Sequence, residues 1–381
     1  MSSNNFSGII PSSLGNCSSL VYIDLSENGF TGRIPDTLGS LKSLADLYLY
    51  NNFLTGELPK SLFQIPALNY LLVEQNNLTG SIPQNVGEAK ELLDLRLFDN
   101  QFSAYEEQFG FSHHQKQFIS NLNLLKLNDN QLGGGIPSAL GKLKKLESLE
   151  LFENRFSGET PIEVWKIQSL TQLLVYKNNL TGKLPVEITE LKNLKIVTLF
   201  NNSFSGVIPP GLGLNSNLEI VDFIGNKFTG EIPPNLCHRK MLTVSNLGSN
   251  RLHGKIPTSV AQCKTLNRFI LRENNLSGPL PDFSPNQDLS FLDFNSNNFE
   301  GPIPRGLGSC RNLTTINLSR NKLTGQIPQE LGNLQKLSHL NLGYNLLNGP
   351  VPSKLSNWKE LTTLVLSGNR FSGVIPPDRR S

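Results

Sequence analysis

Acidic and aromatic side chains recur at one phase along this sequence. The first set is Tyr22, Asp24 and Glu27, then Asp46, Tyr48 and Tyr50, then Tyr70 and Glu74, then Asp94, Phe98 and Asp99. The pattern continues with Glu150, Phe152 and Glu153, with Gln172 and Tyr176, with Thr198 and Phe200, and with Asp222 and Ile224. Two arginines, Arg268 and Arg272, then take the same phase four residues apart. The chemistry these types offer is recognition. Carboxylates attract cations, flat rings anchor partners, and guanidinium forks match carboxylates. Exposed strand positions are ordinarily polar, which accounts for the acids. It does not account for the repeated Tyr and Phe, which cost solubility unless they bind something.

No acid–base pair, nucleophile with a base or metal set stands out, so the reading is a binding protein and not an enzyme, with no cofactor. His113 and His114 are adjacent imidazoles without Cys or Asp partners at ligand spacing, and no metal is expected. The glycines Gly133 to Gly135 lack the Gly-Lys-Ser/Thr of a phosphate loop. A net charge of +3 gives no case for nucleic acid.

The phase itself comes from an internal repeat. Asn recurs from Asn4 and Asn28 through Asn369, every 24 residues apart from one step of 30 and one of 23. Gly follows four residues later (Gly8, Gly32, Gly56) and Pro seven later (Pro11, Pro35, Pro59). Only the unit at Asn100 breaks both columns, with Ala104 and Glu107. The unit reads L-x-x-L-x-L-x-x-N-x-[LF]-x-G-x-[IL]-P, as in Leu20 to Pro35. The pair Ile23 and Leu25 faces one side of a short strand, with period two. The Asn satisfies backbone groups left open by the following bend, within and between coils. Gly permits a positive φ, and Pro ends strand pairing. One such coil cannot fold alone, so neighbours must stack on it. The expected fold is an α/β-type solenoid. It is a curved superhelix with a parallel β-sheet on the concave face and irregular or 3-10 segments on the convex face.

These residues resemble the plant-type leucine-rich repeat, marked by the added G-x-[IL]-P. Stretches such as LFENRFSGETPIEVWKIQSLTQLLVYKNNLTG, VDFIGNKFTGEIPPNLCHRK and FILRENNLSG are similar to the receptors for plant elicitor (danger) peptides. The resemblance implies a parent receptor-like kinase at the plasma membrane. Its ectodomain would bind a secreted peptide or protein outside the cell in defence signalling, with a leucine-rich-repeat co-receptor as a further partner. Two other readings stay open. One is a secreted inhibitor of a cell-wall-degrading enzyme, similar to polygalacturonase-inhibiting proteins. The other is a nonfunctional truncated receptor product. Met1 to Pro11 lacks the basic and apolar regions of a signal peptide, and no apolar run reaches the ~18 residues of a membrane helix. Cysteine caps and a kinase are also missing, so the chain reads as part of a longer receptor.

The expected organisation is repeats over 1–102, a seam over 103–121, repeats over 122–377 and a tail over 378–381. Ser103 to Ser120 reads as a scar of lost repeats in preference to a ligand-binding loop. Pro281 to Asp288 is one residue short and should form a reshaped convex loop. Cys17, Cys263 and Cys310 share a phase that points into the coil, while Cys237 lies off it; pairing of Cys237 with Cys263 is left open. Ser245 replaces an apolar strand residue and should weaken its coil. Phe6 and Ile10 at one end, and Val374 and Ile375 at the other, should be exposed. Candidate N-glycosylation sequons lie at Asn5, Asn16, Asn77, Asn179, Asn201, Asn275, Asn312 and Asn317. The charge pattern further suggests that the early acids attract a basic peptide. Phe152, Tyr176, Phe200 and Ile224 would hold apolar groups, and Arg268 with Arg272 a terminal carboxylate, unless Arg272 pairs with Glu273 or Asp293.

Overall fold

The computed structural model describes residues 1–103, 119–283 and 286–374. It divides into two compact units, Met1–Leu194 and Lys195–Ser381. Both are built the same way. In the first, parallel three-residue strands repeat at Tyr22–Asp24, Asp46–Tyr48, Tyr70–Leu72, Asp94–Arg96, Leu124–Lys126, Ser148–Glu150 and Gln172–Leu174. In the second they repeat at Ile196–Thr198, Ile220–Asp222, Val244–Asn246, Arg268–Ile270, Phe291–Asp293, Thr315–Asn317, His339–Asn341 and Thr363–Val365. Register follows the repeat: Tyr22, Asp46, Tyr70 and Asp94 stand side by side, as do Arg268, Phe291, Thr315 and His339. The alternate residues, such as Leu47, Leu71 and Leu95, point inward and are fully buried.

The Asn column closes each coil. Asn52 donates from Nδ2 to Leu49 O and Tyr50 O in its own coil and to Leu25 O in the coil before, while its Oδ1 accepts from Phe30 N. Asn274 repeats the set with Leu271, Arg272, Leu247 and Leu252. These bonds hold the preceding residue in the left-handed region, as at Glu153 (φ 51°) and Glu273 (φ 55°). That conformation is unfavourable for any side chain bearing a Cβ, so the Asn bonds must offset it. The Gly column has a steric cause as well. Gly56 has φ 78°, and a Cβ there would meet Arg33 Cγ of the coil before at 2.9 Å. Between Asn and Gly a second short strand forms, as at Phe53–Glu57. Pro35, with φ −67°, leads into a 3-10 turn, Asp36–Ser40.

Several expectations meet the coordinates at the irregular coils. Residues 104–118 lie outside the described residues, so the seam and His113 and His114 have no structural account. The strands flanking it pair directly, Leu124–Lys126 against Asp94–Arg96, so the sheet is continuous across it. Pro281–Asp288 forms no helical turn among its described residues. Asn286 fills that coil by donating to Cys263 O and Leu266 O. Cys237 and Cys263 form a disulfide, Cα to Cα 5.9 Å. Cys263 and Cys310 are buried as their phase implies, but Cys17 is exposed, at the open side of its coil. That side is a cavity of about 540 Å³ lined by Phe6, Leu14, Cys17 and Leu20. Phe6 and Val374 are exposed, whereas Ile10 is buried beneath the next coil, contrary to expectation, and Ile375 lies outside the described residues. Ser245 is fully buried, and its hydroxyl has no hydrogen-bond partner.

Candidate functional site

In the first unit the outward columns bring the early aromatics together. Tyr22 meets Tyr48 edge to face at 5.3 Å, and Tyr48 meets Tyr70 at 6.5 Å. Asp24 and Asp46 lie among these rings, half exposed. Burial alone raises the Asp24 carboxyl, but bonds from the Ser26 hydroxyl and amide and from the Tyr22 hydroxyl outweigh it and hold the group below its usual range. Asp46 lacks that support, and burial pushes it up. Tyr50 and Phe98 are half-buried on the column that also holds Glu74.

The acids of the middle strands differ from the sequence expectation. Glu74, Asp94 and Glu150 are buried, not displayed. Long side chains on flanking positions engage two of them. Arg96 clamps Asp94, and the ammonium of Lys126 lies 3.0 Å from Glu150. Glu74 has an oxygen, Oε2, with no partner, and burial pushes its carboxyl up to about 7. Arg96, Lys126 and Asp129 occupy the same outward phase as the acids, a signal that the spacing from Asn100 and Asn130 carries. Further along, Phe152 stacks on Tyr176 at 4.3 Å. Burial, with Glu153 and Asp129 nearby, pushes the Tyr176 phenol to about 12.

In the second unit Phe200, Asp222 and Ile224 are half-buried and Arg268 is exposed. Asp222 is raised by burial despite bonds from Ile224 N and Asn246 Nδ2. Arg268 lies over the Phe291 ring, 4.4 Å from its centroid. Arg272 rests its stem where Gly248 leaves room: a Cβ there would meet Arg272 Cγ at 3.1 Å and Ile224 Cδ1 at 3.4 Å. The Arg272 Nε is buried without a partner. The Glu273 carboxylate instead accepts from the Ser249 hydroxyl at 2.7 Å, and Asp293 accepts from Asn295. Among the described residues neither arginine forms an ion pair, so the pairing of Arg272 with Glu273 or Asp293 is not made. Among the described residues the terminal nitrogens of Arg272 take no partner, so they, and not the enclosed Nε, can meet an acceptor from outside.

Nothing in these columns assembles a metal site; among the described residues no group of three His, Cys, Asp or Glu side chains is close enough to hold an ion. No described helix is long and apolar enough to cross a membrane.

Models of the leucine-rich repeat match residues 311–371 and, as single repeats, 1–17, 19–41, 121–143, 193–215, 217–238 and 288–310. The search of curated proteins finds no match. Among solved structures the chain is 51% identical to the receptor in the PEPR1–AtPEP1 complex, over 99% of its own length and 72% of that chain, with a TM-score of 0.62. It is 31% identical to the plant peptide hormone receptor RGFR1 in complex with RGF2 (98% and 62% covered, TM-score 0.86). It is 32% identical to the Arabidopsis receptor kinase HAESA in complex with the peptide hormone IDA and the co-receptor SERK1 (99% and 66%, TM-score 0.85). The chain thus spans about two thirds of the length of these ectodomains.

Proposed function

The chain belongs to the leucine-rich-repeat family of plant receptor-kinase ectodomains, and we propose that it is the part of a cell-surface receptor that captures a basic peptide in extended form for defence signalling. The complexes of PEPR1, RGFR1 and HAESA support peptide recognition as the task. The same kinship supports a parent held in the plasma membrane with these repeats outside. The SERK1 in the HAESA complex supports a second leucine-rich-repeat ectodomain as partner. The chain's own role is binding, not catalysis.

The observation that carries the ligand class is Arg272, which forms no ion pair among the described residues and shares an outward phase with Arg268. In a site screened from water such donors favour a carboxylate, and a peptide's C-terminus supplies one. The first unit offers the complementary preference. Asp24 and Asp46 among tyrosines attract Lys and Arg side chains and raise the association rate. The test compares association of a basic peptide about 20 residues long with its charge-reversed counterpart at low and high salt. The basic peptide should bind faster, with an advantage that shrinks as salt rises. Equal rates for both, or a faster acidic peptide, would reject the proposal.

A further inference from the structure

Beyond Arg272 the two central outward columns of the second unit carry no aromatic side chain, although Tyr344 is exposed at their margin under Arg320. The column that carries Phe200, Ile224 and Arg272 continues as Asn295, Ser319 and Gly343, and its neighbour as Asp293, Asn317 and Asn341. These side chains are small and polar, and they leave a shallow floor. A sequon, Asn317-Leu318-Ser319, lies on that floor, on the strand Thr315–Asn317 itself. The Asn317 Oδ1 is fixed by the Ser319 hydroxyl at 2.7 Å and the Ser319 amide at 3.2 Å. Those bonds turn Nδ2 away from the backbone, and Nδ2 has no partner among the described residues. The sequon at Asn312 differs. Its Nδ2 donates to Gln287 O of the preceding coil at 2.5 Å, and its Oδ1 accepts from Lys336 Nζ.

We propose that Asn317 carries an N-linked glycan that lies across this floor, so that the outward face of the second unit ends as a peptide track beyond Arg272 and Asp293. The inference rests on the reading that the chain is extracellular. Attachment precedes folding: Nδ2 bonds to the anomeric carbon of a lipid diphosphate-linked oligosaccharide, the carbon–oxygen bond to phosphate breaks, Nδ2 loses a proton and the lipid diphosphate leaves. The fold then sets where the attached sugar lies. At Asn317 the bonds to Oδ1 survive and the sugar extends over neighbours one strand, or ~5 Å, away. At Asn312 the modified amide keeps one N–H, which can go on donating to Gln287 O. The exposed His339, on the next strand, lies under the proposed sugar; its Nδ1 meets the Ser338 hydroxyl at 2.8 Å.

The test is glycopeptide mass spectrometry of the full chain sent through a plant secretory pathway behind a leader sequence. The expected result is sugar on Asn317 in most molecules. Sugar on the exposed Asn275 with Asn317 bare overturns the proposal and leaves the extracellular reading intact; a chain bare at every sequon overturns both. Placement is read from modification of His339 by diethyl pyrocarbonate. Asn317→Gln, or Ser319→Ala, which deletes the sequon but keeps Asn317, should speed that modification several-fold, while Asn275→Gln leaves it unchanged. The same rate in all four proteins would show that the glycan does not lie over the floor.

Discussion

Arg96 folds back onto Asp94, two residues earlier on the same strand, its terminal nitrogen 2.7 Å and its Nε 3.0 Å from one carboxylate oxygen. The pair removes one acid from the face that is to attract a basic ligand. It also sets a positive charge near Glu74, where it opposes the effect of burial.

Arg96→Gln should therefore strengthen the acidic field of the first unit. Association of a basic peptide is expected to rise about threefold to tenfold at low salt and little at high salt. Stability is expected to fall by about 1 to 3 kcal/mol, less than for a fully buried pair because Arg96 is partly exposed. Stopped-flow binding and urea unfolding of the same variant give the two numbers.

Glu74 makes stability depend on pH. Its carboxyl is raised from 4.5 to about 7, chiefly by burial. Between those values the folded state holds a proton that the unfolded chain has lost, so stability falls as pH rises through this window. The contribution is full below about pH 4.5 and lost above about pH 7, amounting to about 3 kcal/mol. Glu74→Gln should flatten this part of the profile. Unfolding midpoints between pH 4.5 and 8 check it; a wild-type profile that rises over this window, or one the variant leaves unaltered, would be the contrary finding.

The coil around Ser245 is the weak point of the second unit. Its buried hydroxyl has no partner, while Val221 and Phe269 fill the same position on the strands beside it. Ser245→Val should add about 1 to 2 kcal/mol by removing an unsatisfied polar group and adding apolar contact. The disulfide from Cys237 to Cys263 closes a loop at this place, and Cys237→Ala with Cys263→Ala should cost about 2 to 4 kcal/mol. Amide exchange is expected to quicken first around Leu242 to Leu247.

The sequence revealed what the period controls. The bonds of Asn52 and Asn274 follow from a phase counted on the chain, and so do the buried Leu47 and Leu71. Burial of Glu74, Asp94 and Glu150 was not legible, because it depends on how Arg96, Lys126 and other long side chains lie across the strands. Cys17 shows the same gap in another form: its phase points inward, but a phase states nothing about whether a coil covers it. For Arg272 the sequence offered two outcomes, an ion pair or a free guanidinium. In the fold the Glu273 carboxylate takes the Ser249 hydroxyl and Asp293 takes Asn295, and neither pairs with Arg272.

The central claim is that Arg272 receives the free C-terminus of a peptide. Titration calorimetry of a basic peptide, with its terminus free or amidated, against the unmodified chain and Arg272→Ala tests it most directly. The free peptide should bind the unmodified chain more tightly than the amide by about 2 to 5 kcal/mol, and Arg272→Ala should bind the two alike. Equal affinity of both peptides for the unmodified chain would contradict the claim.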